Sequence, residues 1–463
     1  MASTATIVFK PRDAQPPPPA TTGLVGWLRE NLFYSVWSTI LTTVSAYLVY
    51  AVTASVWEWG ITNAVWDAAS RRECLDTPLL GSDGLVLLDE NGKPRKTGEH
   101  GACWAGVTTW FQSFMYGRYP LEERWRINLA FITLILWIAP LWIANIKGKA
   151  SIGISAVLVY PFLAAYLFAG GDVGLFWRTM VMLAIAMFCL NWVHVLMNVF
   201  TGQSLQDWLV RLTGLEDKHE GMHKYPWLAV LAITFMACYL ILGSWQPVDV
   251  GTNRWGGLFL TLVIAGCAIV FALPGGIVLA LARRSNMPFI RVSAITFIEL
   301  FRSVPLITVL FMAVTMFPLF LPAGTALDKL IQAIVGVCLF AAAYMAETVR
   351  GGLQAIPKGQ YEAAQAMGLT YWKMMNFIIL PQALKLMIPN IVGSFISLFK
   401  DTTLVSIIGL YDMLLMMRAA GRTPQWIGLH KETLLFGAII YFVFCFAMSR
   451  YSQALERKLH TGH

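Results

Sequence analysis

Residues 361–390 read YEAAQAMGLTYWKMMNFIILPQALKLMIPN, a polar, cationic island between two long apolar segments. It carries Glu362-Ala363-Ala364, then Gly368, then Ile378-x-Leu380-Pro381. Tyr361 to Met367 is rich in strong helix formers, and Ala363, Ala364 and Ala366 make small faces that permit close approach. Gly368 suits a left-handed stop, a second short helix is expected from about Tyr371, and Pro381 is expected to bend the start of the next apolar segment. The pattern predicts a short helix lying across the membrane face, able to seat in a partner's groove and pass its rigid-body motion to the spans. A lipid-bound amphipathic helix is the alternative. It accounts for Trp372 and Lys373 but not for the small-residue face.

Composition sets the class around this island. Of 463 residues, 57% are hydrophobic and 13% charged, and mean hydropathy is +0.61. Both proportions lie outside the soluble range, so the chain reads as an all-α polytopic membrane protein. Apolar runs of bridging length fall at about 33–56, 127–146, 151–170, 174–199, 226–244, 255–282, 292–320, 330–350, 376–399 and 431–453. About ten spans put both termini on one side. Lys10, Arg12, Arg29, Lys147, Lys149, Arg283, Arg284, Lys358, Lys373, Arg450, Arg457 and Lys458 gather on that side, which the positive-inside bias makes cytoplasmic. Arg418 and Arg422 fall on the outer side. The formal charge of +8 is scattered over span ends rather than clustered, which argues against a nucleic-acid partner.

Residues 1–32, with Pro16 to Pro19, read as a disordered cytoplasmic tail and carry no small-residue cleavage pattern. Residues 33–254 form an N-terminal transmembrane extension, with an external loop at about 58–126. That loop holds Cys74 and Cys103, which in an oxidising compartment can bridge the turn-rich segment 81–101 or remain free thiols. Cys189, Cys238, Cys267, Cys338 and Cys445 lie in apolar spans. His219-Glu220-Gly221-Met222-His223 matches HExxH, the helical pattern of a zinc protease. Gly221 inside it, Pro226 just beyond and the missing third ligand argue against metal. A nucleotide-independent channel or receptor is the third class considered.

Charged residues within the apolar spans of the second half mark candidate sites. Glu299 and Arg302 lie three apart in FIELFRSVPL, so they share a helix face, and Pro305 interrupts the helix beside them. Glu347 and Arg350 repeat that spacing. They read either as members of a solute pathway or as charges that reach the cytoplasmic interface. Lys400-Asp401 reads either as an interfacial anchor or as a lining for the opposed charges of a zwitterion.

Several segments together resemble the polar amino acid permease family of ABC importers. They are Trp255-Gly256-Gly257, Arg283-Arg284-Ser285, Glu299 to Leu306, Glu347 to Gly352, Ile356 to Ala364, Lys400-Asp401-Thr402 and Met448 to Ser452. The island at 361–390 resembles that family's coupling loop. Residues 255–463 then correspond to a five-helix importer permease core, with the coupling loop at 351–375 and a cytoplasmic coupling helix. The whole chain is similar to the larger of the two permeases in general L-amino acid transporters of Gram-negative bacteria. The resemblance implies a transporter subunit rather than an enzyme, placed in the bacterial inner membrane and working by alternating access. It implies an ATPase dimer, a second homologous permease, a periplasmic amino-acid-binding protein and surrounding lipid as partners. It assigns ATPase coupling to Glu362, Ala363, Ala364, Gly368 and Pro381, and offers Glu299, Arg302, Glu347, Arg350, Lys400 and Asp401 as pathway candidates. The sequence holds no G-x-x-x-x-G-K-[ST] loop, so ATP and Mg are expected on the partner ATPase, with no cofactor on this chain.

Overall fold

The computed structural model describes residues 23–459, apart from 82, 97–100, 144–145, 147, 203–204, 206–207, 209–224 and 323–326. The HExxH residues 219–223 lie outside the described residues, as does the proline run at 16–19. Among the described residues, eight helical segments are long and apolar enough to cross a bilayer, a ninth is a bent pair, and Leu228–Leu242 is a shorter apolar helix.

The chain separates into two compact units at Thr108. In the first unit, α1 (Gly23–Asn31) is helical where a disordered tail was expected. α2 (Val36–Trp57) follows, with Ser35 accepting the Ser38 N–H at its start. None of its residues is buried within the chain, as suits a span that faces lipid. Beyond it, α3 (Arg71–Asp76) carries Cys74, which is bonded to Cys103 with their Cα atoms 5.9 Å apart. The enclosed segment folds as bridged turns, pairing Pro78 with Lys96, Leu80 with Val86 and Leu88 with Pro94. Lys96 also binds Asp76 at 2.8 Å and thereby holds that carboxyl below its usual range.

Residues 58–126 are not all loop. α4 (Trp104–Tyr116) runs through the unit boundary, and the next helical run starts at Leu121, six residues before the expected edge of the second span. α5 (Arg124–Ile138) buries Arg126 completely, and Glu123 stands 2.9 Å from it. Paired, the guanidinium costs less to bury, which is why a charged turn belongs to a span that hydropathy alone begins later.

α6 (Lys149–Leu158) and α7 (Tyr160–Ala169) form one span broken at Val159, two residues before Pro161, and α8 (Leu175–Thr201) and α9 (Tyr225–Leu242) complete the N-terminal helices. One hydrophobic cluster joins them to the second half, from Trp137 and Leu167 through Phe259 and Ile264 to Leu310 and Val337. The centre of the second half is α10 (Gly257–Arg283) against α13 (Lys329–Ala355). Ala268, Ala272, Gly276 and Ala280 recur every four residues along α10 and are all buried, the small-residue seam that lets membrane helices approach closely. A Cβ on Gly276 would sit 2.7 Å from the Cβ and Cγ of Met345.

Between them the seventh span is broken. α11 (Pro288–Ser303) and α12 (Leu306–Phe311, continuing helically to Phe320) meet at Val304-Pro305 with a bend of 107°. Pro305 cannot donate the helical hydrogen bond, and Val304 before it is extended, so the chain turns a corner rather than kinking. α14 (Lys358–Ala366), α15 (Tyr371–Met374), α16 (Leu380–Asp401), α17 (Met413–Ala420) and α18 (Lys431–Leu459) finish the fold.

Candidate functional site

The polar island becomes α14 and the start of a helical run that continues from Tyr371 to Ser406. Gly368 takes φ +70°, the left-handed value that ends α14 and that residues with a side chain rarely adopt. Before Pro381 the helix passes through a wide π turn, Met375–Ile379, which accommodates the missing proline donor without ending the run. Ala364 is 2% exposed, packed in a cluster with Ile356, Met374, Met375, Ile379 and Ala383, while Glu362 and Ala363 face outward. The short helix thus packs inward through Ala364 and turns Glu362 and Ala363 outward.

The four charged pathway candidates of α11 and α13 converge, together with a residue that sequence spacing did not single out for the cluster. Glu347 lies 2.7 Å from Arg283, 2.7 Å from Arg350 and 3.6 Å from Arg302. Glu299 lies 3.0 Å from Arg283 and 4.0 Å from Arg302. Arg283 ends α10, so three helices are tied by five ionised groups, three cationic and two anionic. The cluster stands at the end of the bundle from which α14 emerges.

A cleft of about 730 Å³ opens between α13 and α16, with Tyr344, Glu347, Thr348, Asn390, Ser394 and Asp401 in its lining. Asp401 faces it; Lys400 does not line it and is exposed. Successive helical residues point about 100° apart, so of this pair only Asp401 starts out directed into the cleft.

At the opposite end of α10 the Trp255-Gly256-Gly257 motif has a backbone purpose. The Gly257 N–H donates to the Tyr411 carbonyl at 2.8 Å, and Gly257 has φ +63°. The Thr261 hydroxyl accepts the Met413 N–H at 3.3 Å, and Asp412 accepts the N–H groups of Leu414 and Leu415 at 3.1 Å each. Burial pushes the Asp412 carboxyl up to about 7, against the opposing pull of those backbone donors. Among the described residues no group of three or more His, Cys, Asp and Glu is placed to hold a metal ion.

Residues 272–461, which contain the ion cluster, the cleft and α14, match the family model of binding-protein-dependent transport system inner membrane components. The full length is similar to the inner membrane amino-acid ABC transporter permease protein YhdY of Escherichia coli K12, at 38% identity over 97% of both chains. This chain belongs to the amino-acid ABC transporter permeases. It is also 38% identical to the glutamate/glutamine/aspartate/asparagine transport system permease protein BztC of Rhodobacter capsulatus, over 97% of this chain and 96% of that one. A solved amino acid ABC transporter chain is 29% identical, covering 44% of this permease and 92% of itself, with a TM-score of 0.40. The permease is a multi-pass inner-membrane transport subunit, not an enzyme, and the ATPase of such a system is a separate subunit. Its long relatives share the N-terminal extension, whereas the glutamate/aspartate import permease GltK of Escherichia coli O157:H7 aligns, at 36% identity, with only 44% of the chain.

Proposed function

We propose that this permease is the larger membrane subunit of a bacterial importer that moves polar L-amino acids by alternating access. Its expected partners are an ATPase dimer seated against α14, a second homologous permease and a periplasmic amino-acid-binding protein. ATP and Mg reside on the ATPase, with no cofactor on this chain, and both termini lie in the cytoplasm, as the Lys and Arg distribution favours. The names of the two full-length relatives, one for amino acids at large and one for glutamate, glutamine, aspartate and asparagine, support the substrate class.

The observation that carries this reading is α14 itself. It is a separate short helix, held by Ala364 and closed by Gly368, with Glu362 and Ala363 outward at the end of the bundle that holds the ion cluster. Nucleotide-driven closure of the ATPases would move this helix as a rigid body, and α10, α13 and α16 would follow. The solute path runs along the cleft of α13 and α16, with Asp401 and the polar residues Asn390 and Ser394 facing it. Glu299, Arg302, Glu347 and Arg350 satisfy one another at its edge.

Uptake of labelled amino acids by vesicles holding the assembled complex, with and without ATP, tests the assignment. Glu362→Lys or Gly368→Pro is expected to abolish uptake and uncouple ATP hydrolysis while the protein still inserts. Normal transport by either variant defeats the coupling assignment.

A further inference from the structure

Arg283 and Arg284 are consecutive, so on the last turn of α10 they point in different directions. Arg283 enters the ion cluster; Arg284 reaches α14. Its guanidinium carbon lies 5.5 Å from the centre of the Tyr361 ring, and its Nη1 donates to the Tyr361 hydroxyl at 3.0 Å. That hydroxyl in turn donates to the Leu353 carbonyl of α13 at 3.1 Å. On another side of α14, the Gln382 amide of α16 donates to the Gln360 side-chain oxygen at 3.2 Å and to the Ile378 carbonyl at 2.9 Å. Adjacent residues of one short helix are therefore hooked to three different spans.

We propose that Tyr361 and Arg284 are positioning residues for coupling: they fix the angle of α14 to α10 and α13, so that its displacement reaches both spans. Ala364 alone is a ball-like apolar contact that permits α14 to roll. The directional bonds at Tyr361, with the Gln360–Gln382 contact opposite, remove that freedom. Arg284 also sets its cation 5.5 Å from the ring centre, within cation–π range. Because Arg283 ties α10 to α11 and α13 one residue earlier, motion delivered through Arg284 arrives at a braced part of the bundle. The proposal rests on the reading of α14 as the helix that meets the ATPase.

The test uses the complete complex in vesicles and reads ATP hydrolysed per amino acid taken up. Tyr361→Phe keeps the ring and its packing but loses both hydrogen bonds. It should raise the ratio by about tenfold, equivalent to about 1.4 kcal/mol and in line with the loss of two ordinary hydrogen bonds. Arg284→Ala should do the same, and Arg284→Lys, which keeps one donor and the charge, should recover part of the coupling. A merely structural role would lower complex yield, hydrolysis and uptake together and leave the ratio unchanged; that result overturns the tether. Wild-type vesicles that take up amino acid with no ATPase attached overturn the coupling reading and the tether with it. Normal wild-type coupling with an unchanged ratio in Tyr361→Phe overturns the tether alone.

Discussion

Glu347 should be the most costly carboxylate of the ion cluster to neutralise. Its side chain is 15% exposed, and the three arginines around it are 23% to 35% exposed, against 53% for Glu299. At an effective dielectric of about 20, two unit charges 4 Å apart attract by about 4 kcal/mol before desolvation and screening are charged against them. Removing one partner from a fully buried pair costs about 3–5 kcal/mol. Partial exposure reduces this, so Glu347→Gln is expected to destabilise by roughly 2–3 kcal/mol, leaving three guanidiniums facing one remaining carboxylate. Glu299 makes two contacts from a half-exposed position, and Glu299→Gln should cost less than about 1 kcal/mol. Unfolding of the purified protein in mixed micelles by a denaturing detergent, followed by tryptophan fluorescence, gives both values. A double-mutant cycle should also find stronger coupling of Arg283 to Glu347 than to Glu299. If Glu347→Gln shifts the midpoint no more than Glu299→Gln, the three-helix brace is not a structural unit.

Two further outcomes follow from packing and titration. Gly276→Val places carbon where Met345 already stands and should destabilise by about 1–3 kcal/mol, whereas Gly266→Val on the same helix meets nothing within 4 Å and should be close to neutral; thermal unfolding of the two variants checks the contrast. Asp412, raised from an ordinary carboxylate value to about 7, binds more protons folded than unfolded between those limits. Its contribution is fully present below about 4, the unfolded value, and declines until the pH passes the folded value. Wild-type protein should therefore lose stability between about pH 4 and 7 relative to Asp412→Asn; equal pH slopes for the two would contradict the assignment.

Residue spacing reached some of these features and missed others. The i,i+3 relation of Glu299 to Arg302 and of Glu347 to Arg350 follows from helix geometry alone, as does the break at Pro305. That the two pairs share Arg283 could not be read, because each was already neutral by itself and nothing in either segment called for a third cation. Arg283 and Arg284 looked like one signal of orientation, yet the end of α10 sends them to different partners. For Lys400-Asp401, adjacency in sequence does not tell which of the two side chains lines a cleft; in the structure Asp401 does and Lys400 is exposed.

The same division runs through the fold. Long apolar runs specify membrane helices because unpaired backbone polar groups cannot remain in hydrocarbon, and the Ala-rich segment closed by Gly368 specifies a short helix at their edge. These are local consequences of composition and backbone chemistry, legible without knowing any neighbour. The seam of Gly276 against Met345, the sharing of Arg283 between Glu299 and Glu347 and the knot at Tyr361 were decided by tertiary structure. Each depends on which distant side chain supplies the compensating charge, the vacant space or the hydrogen bond, and such complementarity exists only once the helices are packed.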